Sequence, residues 1–307
     1  MYEKFYGFDV RPFELTPDPE FFFLGESHKE GLAFLKYGAL AGKELLMLTG
    51  GVGTGKSTLI GVLLEHVENR RYCCVINNPT LAIEDFFALL ASQLGIDYSG
   101  KKADFLLSFS KLLERCQDEK ERVVLVLDEA HCLSVELFQE VRFLLNLAIE
   151  YRDVLTIFLI GQPELLDLLT EKSLEAFRQR VTTRCHLASL TEKETVQYIM
   201  FRMSRAGGTG ENIFTRSALK LVYEASRGNP RLVNIICDNA LLSGYASETR
   251  PIDEDIIHGV VEQLRIPGEK DIFYLRPRGG KKKLAGFIGA AVVFLGIVVG
   301  CIAYWFY

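Results

Sequence analysis

The sequence predicts an α/β fold: a parallel sheet flanked by helices, then a small helical lid, then one C-terminal transmembrane helix. Three observations carry this. Four apolar runs, ELLMLTG, YCCVINN, RVVLVLDEA and VLTIFLIGQ, alternate with helical periodicity. Strands that are apolar along their whole length are those buried on both faces of a parallel sheet. Beyond residue 190 such runs cease and helical patterns continue to about 265. The last 24 residues, 284–307, contain no charged side chain. At about 1.5 Å per residue they are long enough to cross a bilayer core.

Composition narrows the field. The chain has 307 residues, 49% hydrophobic and 24% charged, as globular proteins do. Its net charge of -5 argues against a chain built to grip a phosphate backbone, so nucleic acid is not an expected partner. Cysteines 73, 74, 116, 132, 185, 237 and 301 form no C-x-x-C and no zinc spacing. Free thiols in a reducing compartment are expected. The start, MYEKFYGFDV, lacks the basic region and apolar run of a secretory signal.

The elements follow in order. Residues 1–42 comprise a Phe/Pro-rich segment, FYGFDVRPFELTPDPEFFFLGE, with turns at Pro17 and Pro19, and a first helix. The capping-box pattern Ser27-His28-Lys29-Glu30 opens that helix, and Gly42 lies just past its end. Residues 43–190 hold the sheet. Residues 191–265 form the lid, opened by a second capping box, Thr191 to Glu194, whose helix stops at Gly207-Gly208. Further helices are expected at about 216–227, 230–246 and 253–265, with Pro230 in the first helical position after Gly228. Residues 266–283 are a basic linker containing Arg276, Arg278, Lys281, Lys282 and Lys283. Residues 284–307 are the span, with Tyr304 and Trp305 at its far end. Basic flanks stay in the cytoplasm, so residues 1 to about 280 are expected there. Gly296 and Gly300 have the spacing that serves helix pairing.

One motif carries the chemistry. Gly50, Gly51, Val52, Gly53, Thr54, Gly55, Lys56, Ser57 and Thr58 fit G-x-x-x-x-G-K-[ST], after the strand LLMLT and before the helical run TLIGVLLEHV. The glycines let backbone N–H groups turn around phosphates, and the helix N-terminus adds its dipole. Lys56 is expected to reach the β- and γ-phosphates of ATP, and Ser57 to ligand Mg2+. The run Val123 to Leu127 ends in Asp128, placed for the Mg2+ shell, and Glu129, placed as general base for the attacking water. The run 155–160 ends in Gly161-Gln162, where Gln162 can sit between the carboxylates and the γ-phosphate. Arg178, Arg180 and Arg184 precede the lid. One of them, Arg180 or Arg184 before Arg178, is a candidate arginine finger for a neighbouring subunit. Arg231, in Gly228-Asn229-Pro230-Arg231, is placed to touch the γ-phosphate and couple its loss to lid movement. His28 and His131 read as supporting residues rather than catalysts.

These pieces in this order resemble an AAA+ ATPase over residues 25 to 265. The string FYGF…PFELTPDPEFFFLGESHKE, with Leu-Asp-Glu-Ala-His (127–131), Gly-Gln-Pro-Glu-Leu (161–165) and Gly-Asn-Pro-Arg, is similar to the ExeA/GspA group of secretion-associated ATPases. The resemblance implies a homo-oligomeric ring, with six subunits as one candidate size, whose arginine finger acts in trans. It also implies a bacterial inner-membrane ATPase facing the cytoplasm, with envelope-assembly or secretion proteins as partners. Two other functions share this core: a nucleotide-gated scaffold with little turnover, and a DNA-transposition helper, which the net charge and the anchor disfavour. Longer members continue into a periplasmic part that binds peptidoglycan; a cell-wall role would need residues beyond Tyr307 or a partner. Gly51 stands where many relatives have Glu, and Ser57 replaces Thr while keeping the hydroxyl.

Overall fold

Five segments pair in parallel, in the order β2-β3-β4-β1-β5. The computed structural model describes residues 1–16, 18–66, 72–77, 80–151, 153–208, 213–265 and 273–274. Met1–Tyr274 forms one compact unit, and residues 275–307 lie outside the described residues. The expected span therefore falls outside them too. Among the described residues no helix is long and apolar enough to cross a membrane.

The strands are β1 (Leu45–Gly50), β2 (Cys73–Ile76), β3 (Val123–Leu127), β4 (Leu155–Gly161) and β5 (Thr183–Leu187). The central strands β1, β3 and β4 are buried at every residue, which is why they read as unbroken apolar runs. Helices α1 (Glu3–Tyr6) and α2 (Glu26–Ala41) precede the sheet. Within it come α3 (Lys56–His66), α4 (Ile83–Leu94), α5 (Lys102–Glu119), α6 (Val135–Leu147), α7 (Glu164–Leu168) and α8 (Glu175–Arg178). The lid consists of α9 (Glu192–Arg205), α10 (Arg216–Ser226), α11 (Pro230–Ala246) and α12 (Glu254–Gln263). One apolar cluster, rich in Phe86, Phe87, Phe105 and Phe109, packs one face of the sheet. A second, built on Leu35, Leu59 and Leu63, packs the other.

Two local expectations are corrected. Strand β5 is a fifth strand beyond the four expected apolar runs, and it begins inside the arginine-rich stretch 178–184. It is an edge strand, bonded to β1 alone, and its Arg184 and His186 are exposed while Leu187 is buried. One-sided cover leaves no continuous apolar run to detect. The first capping box does not form. Helix α2 starts at Glu26 with Gly25 as its N-cap and no side-chain cap. The Glu26 N–H donates to Glu194 Oε1 of α9 (2.8 Å), and the Ser27 hydroxyl accepts from Ala188 N–H (2.9 Å). A tertiary acceptor has replaced the local one. Glu194 also closes the capping box on Thr191, so one carboxylate satisfies the first turns of two helices.

Residues 1–42, one segment by composition, divide in the fold. The Tyr2 hydroxyl bonds Asp238, Phe5 stands edge-on to Tyr245 at 5.5 Å, and the Asp9 N–H donates to Ala206 O (2.8 Å). Phe23 packs on Tyr198 (5.8 Å) and Phe201 (5.7 Å). The first 23 residues are thus a strap along the lid, whereas α2 lies on α3 and β5. Arg202 anchors the strap. It is buried, and its guanidinium donates to Pro12 O (2.6 Å), Glu14 O (3.2 Å) and the Tyr198 hydroxyl (2.9 Å), over the Phe21 ring. Satisfying a buried guanidinium with carbonyls rather than a carboxylate leaves those carbonyls paired as well.

Candidate active site

In a parallel sheet all carboxyl ends lie on one edge, and loops from neighbouring strands meet there. Here β3, β4 and β1 are successive neighbours. Their loops bring together Asp128 and Glu129, Gln162, and the P-loop after Gly50.

The P-loop needs two left-handed residues, and glycine supplies both: Gly53 at φ +75 and Gly55 at φ +97. A Cβ on Gly53 would stand 2.6 Å from Arg231 Cβ, whereas one on Gly51 would meet only Thr54 Cγ2, at 3.5 Å. Gly53→Ala is therefore expected to weaken nucleotide binding at least about tenfold, because strain and a lid clash coincide. Gly51→Ala is expected to bind as wild type. Titration with a fluorescent ATP analogue checks both.

Lys56 Nζ donates to Gly50 O (2.9 Å) and Gly51 O (3.0 Å). Burial lowers its pKa, and the carboxylates of Glu129, Asp128 and Glu164 oppose that. The Ser57 hydroxyl donates to Asp128 Oδ2 (3.0 Å), and Asp128 Oδ1 accepts from Glu129 N–H (2.9 Å). Among the described residues no three His, Cys, Asp or Glu converge as a metal site. Two protein oxygens completed by phosphate and water are what magnesium takes beside a nucleotide. The donor set, with a cradle that side chains would fill, fits a nucleoside triphosphate with Mg2+.

Glu129 adopts a left-handed backbone, φ 52 and ψ 34, uncommon for a residue with a side chain. Its carboxylate lies 3.5 Å from Gln162 Nε2 and 3.4 Å from His131 Nδ1. Gln162 Nε2 is also 2.9 Å from His131 Nε2. The Gln162 backbone N–H donates to His131 Nδ1 (3.4 Å), so this one residue contacts both ring nitrogens. Gly161 lets the histidine approach: a Cβ there would stand 3.2 Å from the His131 backbone nitrogen.

The lid reaches the loop directly. Arg231 N–H donates to Gly53 O (3.4 Å), and Asn229 Nδ2 donates to Val52 O (2.6 Å). From α2, the buried His28 places Nε2 2.9 Å from Thr54 O. Burial lowers the His28 pKa, against a bond to Thr54 and the charge of Glu194. A cleft of about 390 Å³ lies between loop, lid and strap, lined by Lys56, Ser57, Glu129, Arg231, Asn234 and the strap residues Glu14 to Thr16 and Phe21 to Phe23.

The candidate fingers are elsewhere. Arg180 donates to Asn146 Oδ1 (2.5 Å) and lies 3.5 Å from Glu44, the residue before β1. Arg178 donates to Leu169 O (3.5 Å). Arg184 is exposed on β5, level with Met47 in the middle of β1. None lines the cleft. Sequence reasoning missed the contacts of His28 and Asn229 with the loop. The N-cap position of Asn229 is legible from Pro230; its second bond, across the cleft, has no local signal.

A P-loop, an acidic strand end and a helical lid on one parallel sheet define a P-loop NTPase of the AAA type. Residues 40–169 match the family model described as AAA domain. That segment belongs to the AAA domain family, and the chain is related to the ExeA/GspA-like group. It is 37% identical, over 262 residues and 84% of its length, to general secretion pathway protein A of Aeromonas hydrophila. It spans about half of that relative, 47%. Solved structures share the fold at lower identity. The Aeropyrum pernix ORC2 protein has a TM-score of 0.60 at 17% identity, over 83% of this chain and 72% of that one. The Thermotoga maritima RuvB Holliday junction branch migration motor has a TM-score of 0.51 at 20% identity, over 81% and 72%.

Proposed function

We propose that this chain is a membrane-anchored ATPase that binds and hydrolyses ATP with Mg2+ to drive assembly or export by a bacterial envelope machine. The observation that carries hydrolysis is the placing of Glu129, Gln162 and the Ser57–Asp128 pair beside one P-loop. When bound, Mg2+ would neutralise developing phosphate charge. Lys56 and the loop amides would hold the phosphates, Ser57 and Asp128 would hold the ion, and Glu129 would accept the proton of the attacking water. Gln162 and His131 orient that carboxylate. Arg231, at the start of a lid helix that already touches the loop, would sense the terminal phosphate. The envelope role rests on the relatedness to general secretion pathway protein A. The anchor rests on the uncharged residues 284–307 behind their basic flank, and it places the ATPase part on the cytoplasmic side of the inner membrane.

The test is a crosslinked pull-down from native membranes with Glu129→Gln protein held in ATP, read by mass spectrometry. Secretin, pilus or polysaccharide-export components are expected. Transposase or DNA without an envelope partner would overturn the reading. The anchor has its own check. The full chain should stay with membranes through an alkaline wash, and a chain ending at Tyr274 should be released.

A further inference from the structure

Three successive carbonyl groups of the P-loop are bonded from outside it. Val52 O accepts from Asn229 Nδ2 (2.6 Å), Gly53 O from Arg231 N–H (3.4 Å) and Thr54 O from His28 Nε2 (2.9 Å). A carbonyl can only accept, so the His28 hydrogen is on Nε2. Its Nδ1 is buried without a partner, and the lowered pKa agrees with a neutral ring.

Peptide geometry makes this consequential. In a planar trans peptide the C=O and the following N–H point in opposite directions. Carbonyls 52, 53 and 54 drawn outward turn the N–H groups of Gly53, Thr54 and Gly55 to the inside of the loop, where phosphates would bind. The outward bonds come from two separate bodies, α11 of the lid and α2. Asn229 does two jobs with one side chain: its Oδ1 caps α11, accepting from Arg231 N–H (3.0 Å) and Leu232 N–H (3.2 Å), while its Nδ2 holds Val52.

We propose that Asn229 and His28 are positioning residues for the phosphate cradle, holding the Val52 and Thr54 carbonyls outward so that the cradle is complete only while the lid and α2 are docked on it. This rests on the nucleotide reading above and adds regulation to it: lid displacement would loosen the grip on every phosphate the loop holds, in a triphosphate and a diphosphate alike.

The two jobs of Asn229 are separable. Asn229→Ser keeps a good cap acceptor but is too short to reach Val52. The full chain in detergent is titrated with fluorescent ATP and ADP analogues, and its melting temperature is measured without nucleotide. Asn229→Ser is expected to melt near wild type and to bind both analogues about tenfold more weakly, the effect of one lost hydrogen bond. His28→Gln, which keeps an N–H at the end of the side chain, is expected to recover much of the affinity that His28→Leu loses. Wild-type affinity in Asn229→Ser, or affinity that falls only in step with stability, would overturn the clamp. A wild-type chain that binds neither analogue would overturn the nucleotide reading itself, and the clamp with it.

Discussion

Glu129→Gln is expected to bind ATP with near wild-type affinity and to hydrolyse it at least about a hundredfold more slowly, the usual loss when a general base is removed. The amide matches the carboxylate in shape. It can keep the left-handed backbone at φ 52 and a hydrogen bond to Gln162 or His131, yet it cannot take a proton from water. Lys56→Ala should behave differently, because the proposed role of Lys56 is to hold the phosphates themselves; there binding is expected to fall, and turnover with it. Single-turnover phosphate release, measured with retention of labelled nucleotide, separates the two effects. Wild-type hydrolysis in Glu129→Gln would remove Glu129 from the mechanism. No magnesium-dependent turnover in the wild type would favour a nucleotide-gated scaffold.

Arg180→Ala or Arg184→Ala is expected to lower turnover by about 10³-fold, at the low end of the range for arginine fingers, with nucleotide affinity little changed. The sheet supplies the reason to look in trans. Arg180 pairs with Glu44, ahead of the first residue of β1, whereas the P-loop leaves the last. The six residues of β1 separate the two by roughly 20 Å. An arginine at the amino edge of the sheet acts on a neighbouring copy or on none. Specific activity should then rise with protein concentration, and mixing Lys56→Ala with Arg180→Ala chains should restore turnover. Activity independent of dilution would sink the proposal. The same mixture made with Arg184→Ala chooses between the two. Arg180 must first leave Asn146 and Glu44, while Arg184 is already exposed.

The legible parts of this protein were those in which local chemistry and global fold demand the same residues. Strands β1, β3 and β4 are apolar at nearly every position because both faces are covered, and the P-loop needs glycine where the backbone turns left-handed. Thr191 and Glu194 cap α9 as their spacing predicts. The edge strand β5 was not legible, since its exposed Arg184 and His186 break the apolar pattern. Nor was the start of α2, where Ser27 bonds Ala188 and a glutamate 168 residues away accepts from the first turn.

By itself, then, the sequence determined the fold class, the phosphate loop and the acidic strand end, because each is a run of neighbours whose chemistry is local. Tertiary structure alone decided that the N-terminal segment straps the lid, that His131 meets Gln162, and that Asn229 and His28 bond the loop from two different elements. Each of those is a bond or packing contact between residues distant along the chain, whose partner no spacing or periodicity encodes.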